Sequence, residues 1–166
     1  SGAAGACLSL ADHPGVSGAA IGALVSQWAP MARAKGQGVC LIAGAQAAWW
    51  QDPTITSSLD LAVVLAFQVA NRPVAPSSRG FFRDVVLPVA RAIPPDRLVL
   101  APGGFGLHWR TGARAPAMLS YADAMLWADR SGATPAFPAE TGNTRIDFLD
   151  AERRRNQIWL LDAVTL

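Results

Sequence analysis

The chain has 166 residues, 51% of them hydrophobic and 16% charged, with a formal net charge of +2. That is enough apolar material for an ordinary domain with its own core, and it excludes a disordered chain. So small a net charge gives no ground for a nucleic-acid partner, and no apolar run reaches the ~18 residues that a membrane-spanning helix needs.

In chain order, the first run is "ACLSLA" (6–11), a strand that ends at the loop "DHPG". Its alternate positions Cys7, Ser9 and Ala11 are small and nearly inert, although strand ends in α/β proteins commonly carry catalytic groups. The spacing predicts a helix over 17–35, with Ile21, Leu24, Val25, Trp28 and Met31 on one face. Pro30 is expected to kink or shorten it, and Gly36 to stop it. "VCLIAGA" (39–45) is the second strand and "LDLAVVLAF" (59–67) the third. A helix follows over 79–93, with Phe82, Val85, Val86, Val89 and Ile93 inward, Pro88 inside and "PP" at its end. "RLVLAPG" (97–103) is the fourth strand. Ser120 and Asp123 form a capping box for a helix over 120–131, with Met125 and Leu126 inward and Gly132 as its stop. The segment 133–156 breaks the pattern. There "TRIDFLD" (144–150) alternates with period two and leads through a polar turn into the last run, "QIWLLDA" (157–163), as a hairpin-like insertion.

Unbroken apolar runs alternating with amphipathic stretches imply an α/β chain with a parallel sheet of five strands. Cys7 and Cys40 read as two buried thiols on neighbouring strands, rather than as a disulfide. They leave the redox compartment open. Arg153, Arg154 and Arg155 read as a solvated loop. "GGFG" (103–106) lacks the Lys-Ser/Thr and the spacing of a phosphate loop. His13 and His108 have no nearby Cys or carboxylate cluster, so no metal site is expected, and no cofactor is called for. The start, "SGAAGACL", lacks the basic region of a signal peptide and reads as an internal boundary.

Four segments, taken in order, resemble the second half of a family-18 glycoside hydrolase, a chitinase-like (β/α) barrel of the spore-germination and cell-wall branch. "LDLAVVLAFQ" (59–68) is similar to the sixth barrel strand, which normally ends Met-x-Tyr-Asp. "IPPDRLVLAPGGFGLHW" (93–109) is similar to the seventh strand and its lead-in. "SYADAMLWADRSGATPAF" (120–137) resembles the helix and insertion that follow. "IDFLD" with "NQIWLLDAVTL" (146–150 and 156–166) resembles the eighth strand. The fold this implies is strands four to eight of a TIM-like barrel: one partial domain over 1–166, with 133–156 as an insertion.

The resemblance puts "GACLSLAD" (5–12) at the fourth strand, where the family carries Asp-x-x-Asp-x-Asp-x-Glu. Its Glu protonates the glycosidic oxygen, and the preceding Asp orients the substrate's own acetamido group. Ser9 stands at that Asp position and Ala11 at the Glu position. Leu65 and Phe67 replace the sixth-strand Met and Tyr, and Gln68 replaces its Asp. Asp12 is the alternative acid, but taking it requires a one-residue slip that sends every side chain to the opposite face. Trp159 matches a Trp that floors the sugar site in the family. Trp49 and Trp50 are adjacent, so at least one ring is expected at the barrel mouth or under a partner. Phe105 and Trp109 read chiefly as structural, with Phe105 also a candidate ligand contact. Asp60 lies at the strand end away from the site and reads as structural. The only glutamates, Glu140 and Glu152, lie in the insertion.

These substitutions point to a catalytically inactive chitinase-like module. It would bind an oligosaccharide or act as a scaffold within a larger polysaccharide-metabolism protein, outside the cytoplasm as the family implies. Two alternatives stand beside it: an active hydrolase of N-acetylglucosamine-type glycans whose acid comes from elsewhere, and a protein-interaction module without sugar affinity. The open sheet edges are expected to be covered by the remainder of a barrel or by a second copy.

Overall fold

The computed structural model of the chain describes residues 4–11, 15–70 and 72–161. They belong to two compact units. One is formed by residues 1–66 with 83–101, the other by 67–82 with 102–166. All four antiparallel strands belong to the second of them.

The first unit is built on a parallel sheet of four strands in chain order: β1 (Gly5–Ser9), β2 (Gly38–Gly44), β3 (Leu61–Leu65) and β4 (Leu98–Ala101). The register runs Ser9↔Ile42↔Val63↔Val99 across it. Helix α1 (Gly18–Arg33) makes the first crossover, capped by Ser17, whose side chain accepts from the Ala20 N–H. Gly5 is required by close approach, because a Cβ there would lie 2.7 Å from the Gly38 carbonyl oxygen. Asp60 acts structurally: its carboxylate accepts from the Val39 N–H at 2.8 Å and faces the Arg33 guanidinium at 3.4 Å.

The two faces of this sheet differ. Val39, Leu41, Ala43, Ala62 and Val64 point to one side and are fully buried. Cys7, Ser9, Ile42, Val63, Leu65 and Val99 point to the other, where Cys7 and Ser9 are exposed, Val99 is 43% exposed and the rest are half-buried. A parallel sheet is normally covered on both faces; this one is covered well on one.

Several expectations need correction here. Cys7 and Cys40 are register partners on neighbouring strands, as expected, but they form a disulfide. Direct opposition brings their Cα atoms to 4.2 Å, close enough for two sulfurs to join. Helix α1 is not shortened by Pro30, and its buried stripe is Ile21, Val25, Ala29 and Ala32. Leu24 and Met31 are exposed. Ile21 and Val25 face inward as expected, and two alanines rather than Leu24 and Met31 complete the inner face.

The 79–93 helix is broken into α3 (Arg79–Phe81), a π turn at Phe82–Val86 and α4 (Leu87–Ala92). Pro88 has no N–H to continue the regular ladder, and a π turn is one way to absorb that defect. The wider turn rotates the face, so Phe81 is buried and Phe82 exposed. Trp49 and Trp50 lie in a 3-10 turn over Ala48–Gln51 instead of on a strand, and both are buried. The short helix α2 (Pro53–Thr56) follows.

The second unit holds an antiparallel sheet of four strands, ordered β6-β5-β8-β7. These are β5 (Gly106–Arg110), β6 (Ala117–Leu119), β7 (Thr144–Leu149) and β8 (Arg155–Leu160). This corrects the fifth parallel strand. The final apolar run is β8, which pairs antiparallel with both β5 and β7. The reason is connectivity: only the polar turn 150–154 separates β7 from β8, and a parallel partner needs a crossover of a dozen residues or more.

Helix α5 (Tyr121–Ser131) has the expected capping box and ends at Gly132 with φ 68°. Its inner face is Ala124 and Ala128, packed with Ile146, Phe148, Ile158 and Leu160. Met125 joins that cluster, whereas Leu126 is exposed.

Candidate functional site

The strand ends of the first unit carry little chemistry. Ser9 closes β1 and is exposed, Leu10 is buried, and Ala11 is exposed in the following turn. Neither β1 nor the two residues after it include a carboxylate. Asp12 and His13 lie outside the described residues. Trp50 is held by its indole N–H, which donates to the Gly44 carbonyl at 3.0 Å, and its ring lies 4.4 Å from that of Trp49. Both indoles are therefore packed inside the first unit.

The second unit gathers the other candidates. In β5, β7 and β8 the register places Leu107, Trp109, Arg145, Asp147, Gln157 and Trp159 on one face. The opposite face, with His108, Ile146, Phe148 and Ile158, belongs to the α5 side. On the first face Ala75, Leu107, Trp109 and Trp159 form a buried cluster, with Phe105 packed against it. Phe67 meets Phe105 edge to face, with ring centroids 4.9 Å apart. The Gln68 side-chain amide donates to the Ala75 carbonyl, and its backbone N–H donates to Pro76. Phe67, Gln68, Phe105 and Trp159 thus come together, while Trp49 and Trp50 do not join them.

Polar groups beside this cluster are tightly paired. The Trp159 indole N–H donates to Gln157 Oε1 at 2.8 Å. Gln157 in turn donates to Asp147 at 2.7 Å. Arg145 holds Asp147 at 2.6 Å, and its guanidinium lies 5.4 Å from the Trp159 ring centroid. Trp109 is 4% exposed, and its indole nitrogen is buried without a hydrogen-bond partner. A cavity of about 400 Å³ opens on the same sheet, lined by Trp109, Arg110, Thr111, Arg145, Arg155 and Gln157 among others. The face thus sets a buried aromatic cluster beside paired amide, carboxylate and guanidinium groups.

The sequence singled out Trp159, Phe67, Gln68, Phe105, Trp49 and Trp50, of which the first four come together. Arg145, Asp147 and Gln157 beside them had no signal but the period-two pattern that places polar residues at alternate positions of β7 and β8.

Across the far face, His108 is buried and shares a 2.9 Å hydrogen bond with Asn156 Oδ1. Asn156 donates its own amide to the Arg154 carbonyl, which turns the oxygen toward the imidazole and makes Nε2 the proton carrier. Burial lowers the His108 pKa below its ordinary value; the Asn156 contact opposes this, and the charge of Arg110 adds to it. The described residues hold no group of three or more His, Cys, Asp or Glu placed for a metal ion, and no helix among them is long and apolar enough to cross a membrane.

No protein-family model matches the sequence, and neither does any curated protein. Solved structures do. A Bacillus subtilis protein assigned as a sporulation-specific glycosylase superposes with a TM-score of 0.83 at 14% identity, covering 98% of this chain and 58% of its own. A chitinase of Chromobacterium violaceum gives 0.82 at 15% identity, with 98% and 55% covered. The spore cortex-lytic enzyme SleL of Bacillus megaterium gives 0.76 at 16% identity, with 89% and 37% covered. The chain therefore has a chitinase-like glycoside hydrolase fold. It spans a little over half the length of the first two structures.

Proposed function

We propose that this chain is a glycan-binding module of chitinase-like fold that does not cleave its ligand. The observation that carries the reading is β1 with its exit, where Ser9 and Ala11 stand at the positions matched to the family's catalytic Asp and Glu. Alanine holds no proton, and serine has no base beside it among the described hydrogen bonds. Phe67 and Gln68, in place of Tyr and Asp, agree: they retain shape and hydrogen bonding but not acid–base chemistry.

Phe67, Gln68, Phe105 and Trp159 form the ligand-binding neighbourhood, supported by their assembly in one unit. The half-open face of the parallel sheet, with Val99 43% exposed, supports a second element of the reading: in its working form this face is covered by further barrel strands or by a second copy. The Cys7–Cys40 disulfide fits an oxidising compartment outside the cytoplasm.

The test is a nuclear magnetic resonance titration of the 166-residue chain with N-acetylglucosamine and glucose oligomers. The expected result is saturable shifts at the Trp159 indole N–H and at the Phe67, Gln68 and Phe105 amides, with the sugar unchanged. Shifts confined to other residues would overturn this placement of the site, and shortened oligomers would overturn the absence of chemistry.

A further inference from the structure

Trp159 belongs to the ligand-binding neighbourhood, yet it is only 6% exposed. Ala75, Leu107 and Trp109 pack with it in a buried cluster. Arg145, its register partner on β7, sets a guanidinium over the indole ring, 5.4 Å from the centroid. The cavity of about 400 Å³ is lined by Arg145, Asp147 and Gln157 but not by Trp159 itself.

The polar contacts on this indole differ in kind. Its N–H, at the ring edge, donates to Gln157 at 2.8 Å, and the Gln157 amide donates to Asp147 at 2.7 Å. That chain fixes the orientation of the ring. Arg145 instead reaches the face of the ring. It is tied to Asp147 at 2.6 Å, but the two side chains are 39% and 50% exposed. A half-exposed ion pair and a cation over an indole are each weak in water. The guanidinium can therefore leave the face while the Gln157–Asp147 chain still holds the ring.

We infer that Arg145 is a displaceable cover on the sugar-stacking face of Trp159, and that glycan binding exchanges its guanidinium for the C–H face of a sugar ring. The inference rests on the glycan-binding reading above and concerns the regulation of that same site. The electron-rich face that attracts a guanidinium is also the face on which an apolar sugar surface would lie, and the two cannot occupy it together. Ligand then binds the uncovered state, and its apparent affinity is reduced by the population of that state.

Arg145→Ala removes the cover. Arg145 pairs with β8 and with Ala136 through its backbone, which alanine retains, and the Gln157 anchor of Trp159 is untouched. Ring exposure is read first without sugar, as the broadening of the Trp159 indole resonances by a soluble nitroxide. Affinity for chitotetraose is then measured by calorimetry. Stronger broadening and about fivefold tighter binding are the expected results for Arg145→Ala. Arg145→Lys, which keeps a cation beside Asp147, is expected to restore most of the protection and the wild-type affinity. Unchanged broadening in Arg145→Ala would overturn the cover. Stronger broadening with equal or weaker affinity would overturn the exchange and leave the glycan reading standing. Chitotetraose binding by neither the wild type nor the variants would overturn the glycan reading and the exchange with it, whatever the broadening shows.

Discussion

At the scale of single residues, His108 is the clearest titratable group in the core. It is 3% exposed and its pKa is depressed, chiefly by burial. A base that prefers its neutral form when folded binds fewer protons than in the unfolded chain. Its contribution is therefore intact above the unfolded value of about 6.5 and is lost as pH falls below it, through the lower folded value. Denaturant melts between about pH 5 and pH 8 should show stability falling on the acid side, and His108→Gln should flatten that part of the profile. A profile unchanged by the substitution would assign the acid loss to other groups.

Asp60 offers a second test. It caps the Val39 N–H at 2.8 Å from the far end of β3, so Asp60→Ala should cost roughly 1–2 kcal/mol in a melt, mostly from the orphaned amide and little from the half-exposed pair with Arg33. The structural role of Asp60 was legible in the sequence from its place at the strand start. The buried Asn156–His108 contact was not, because two polar residues 48 positions apart carry no joint signal.

At the scale of elements, the punctuation read best. The Ser120–Asp123 box and Gly132 bound α5 as expected. Ser120→Ala should lower stability by about 1 kcal/mol, measurable by thermal melting; a neutral result would mean that tertiary contacts alone hold that helix end.

Helix faces read less well. Periodicity weights large side chains, yet α1 and α5 both turn alanines inward, which permits close approach to their sheets and leaves Leu24, Met31 and Leu126 exposed. The π turn before Pro88 shifts the frame by one residue, which no regular period can anticipate. The disulfide was missed because "ACLS" and "GVCL" look like apolar strand interiors, whereas β1 is an edge with Cys7 exposed. It closes a loop of 33 residues, worth roughly 3–4 kcal/mol in the chain-entropy picture. Reducing agent, or paired Cys7→Ala and Cys40→Ala, should lower the melting transition accordingly.

At the scale of the molecule, the βα alternation was legible through β4 and then failed. "QIWLL" is as apolar as a parallel strand, but it is the second arm of a hairpin, and composition alone does not distinguish the two. What remains is a four-stranded parallel sheet with open edges at β1 and β4 and a half-covered apolar face. Such a surface is costly in water. The isolated chain should therefore associate with increasing concentration in sedimentation experiments; a strictly monomeric chain with a sharp cooperative melt would contradict the reading that this face is normally covered.

The claim at the centre of the account is recognition without cleavage. The most direct measurement is a calorimetric titration of the chain with chitohexaose, with the sugar recovered from the cell afterwards and sized by mass spectrometry. Saturable heat and intact hexamer are the expected result. Shortened oligomers would show that a proton donor acts despite Ser9 and Ala11, and the absence of heat would show that the chitinase-like fold persists here without its ligand.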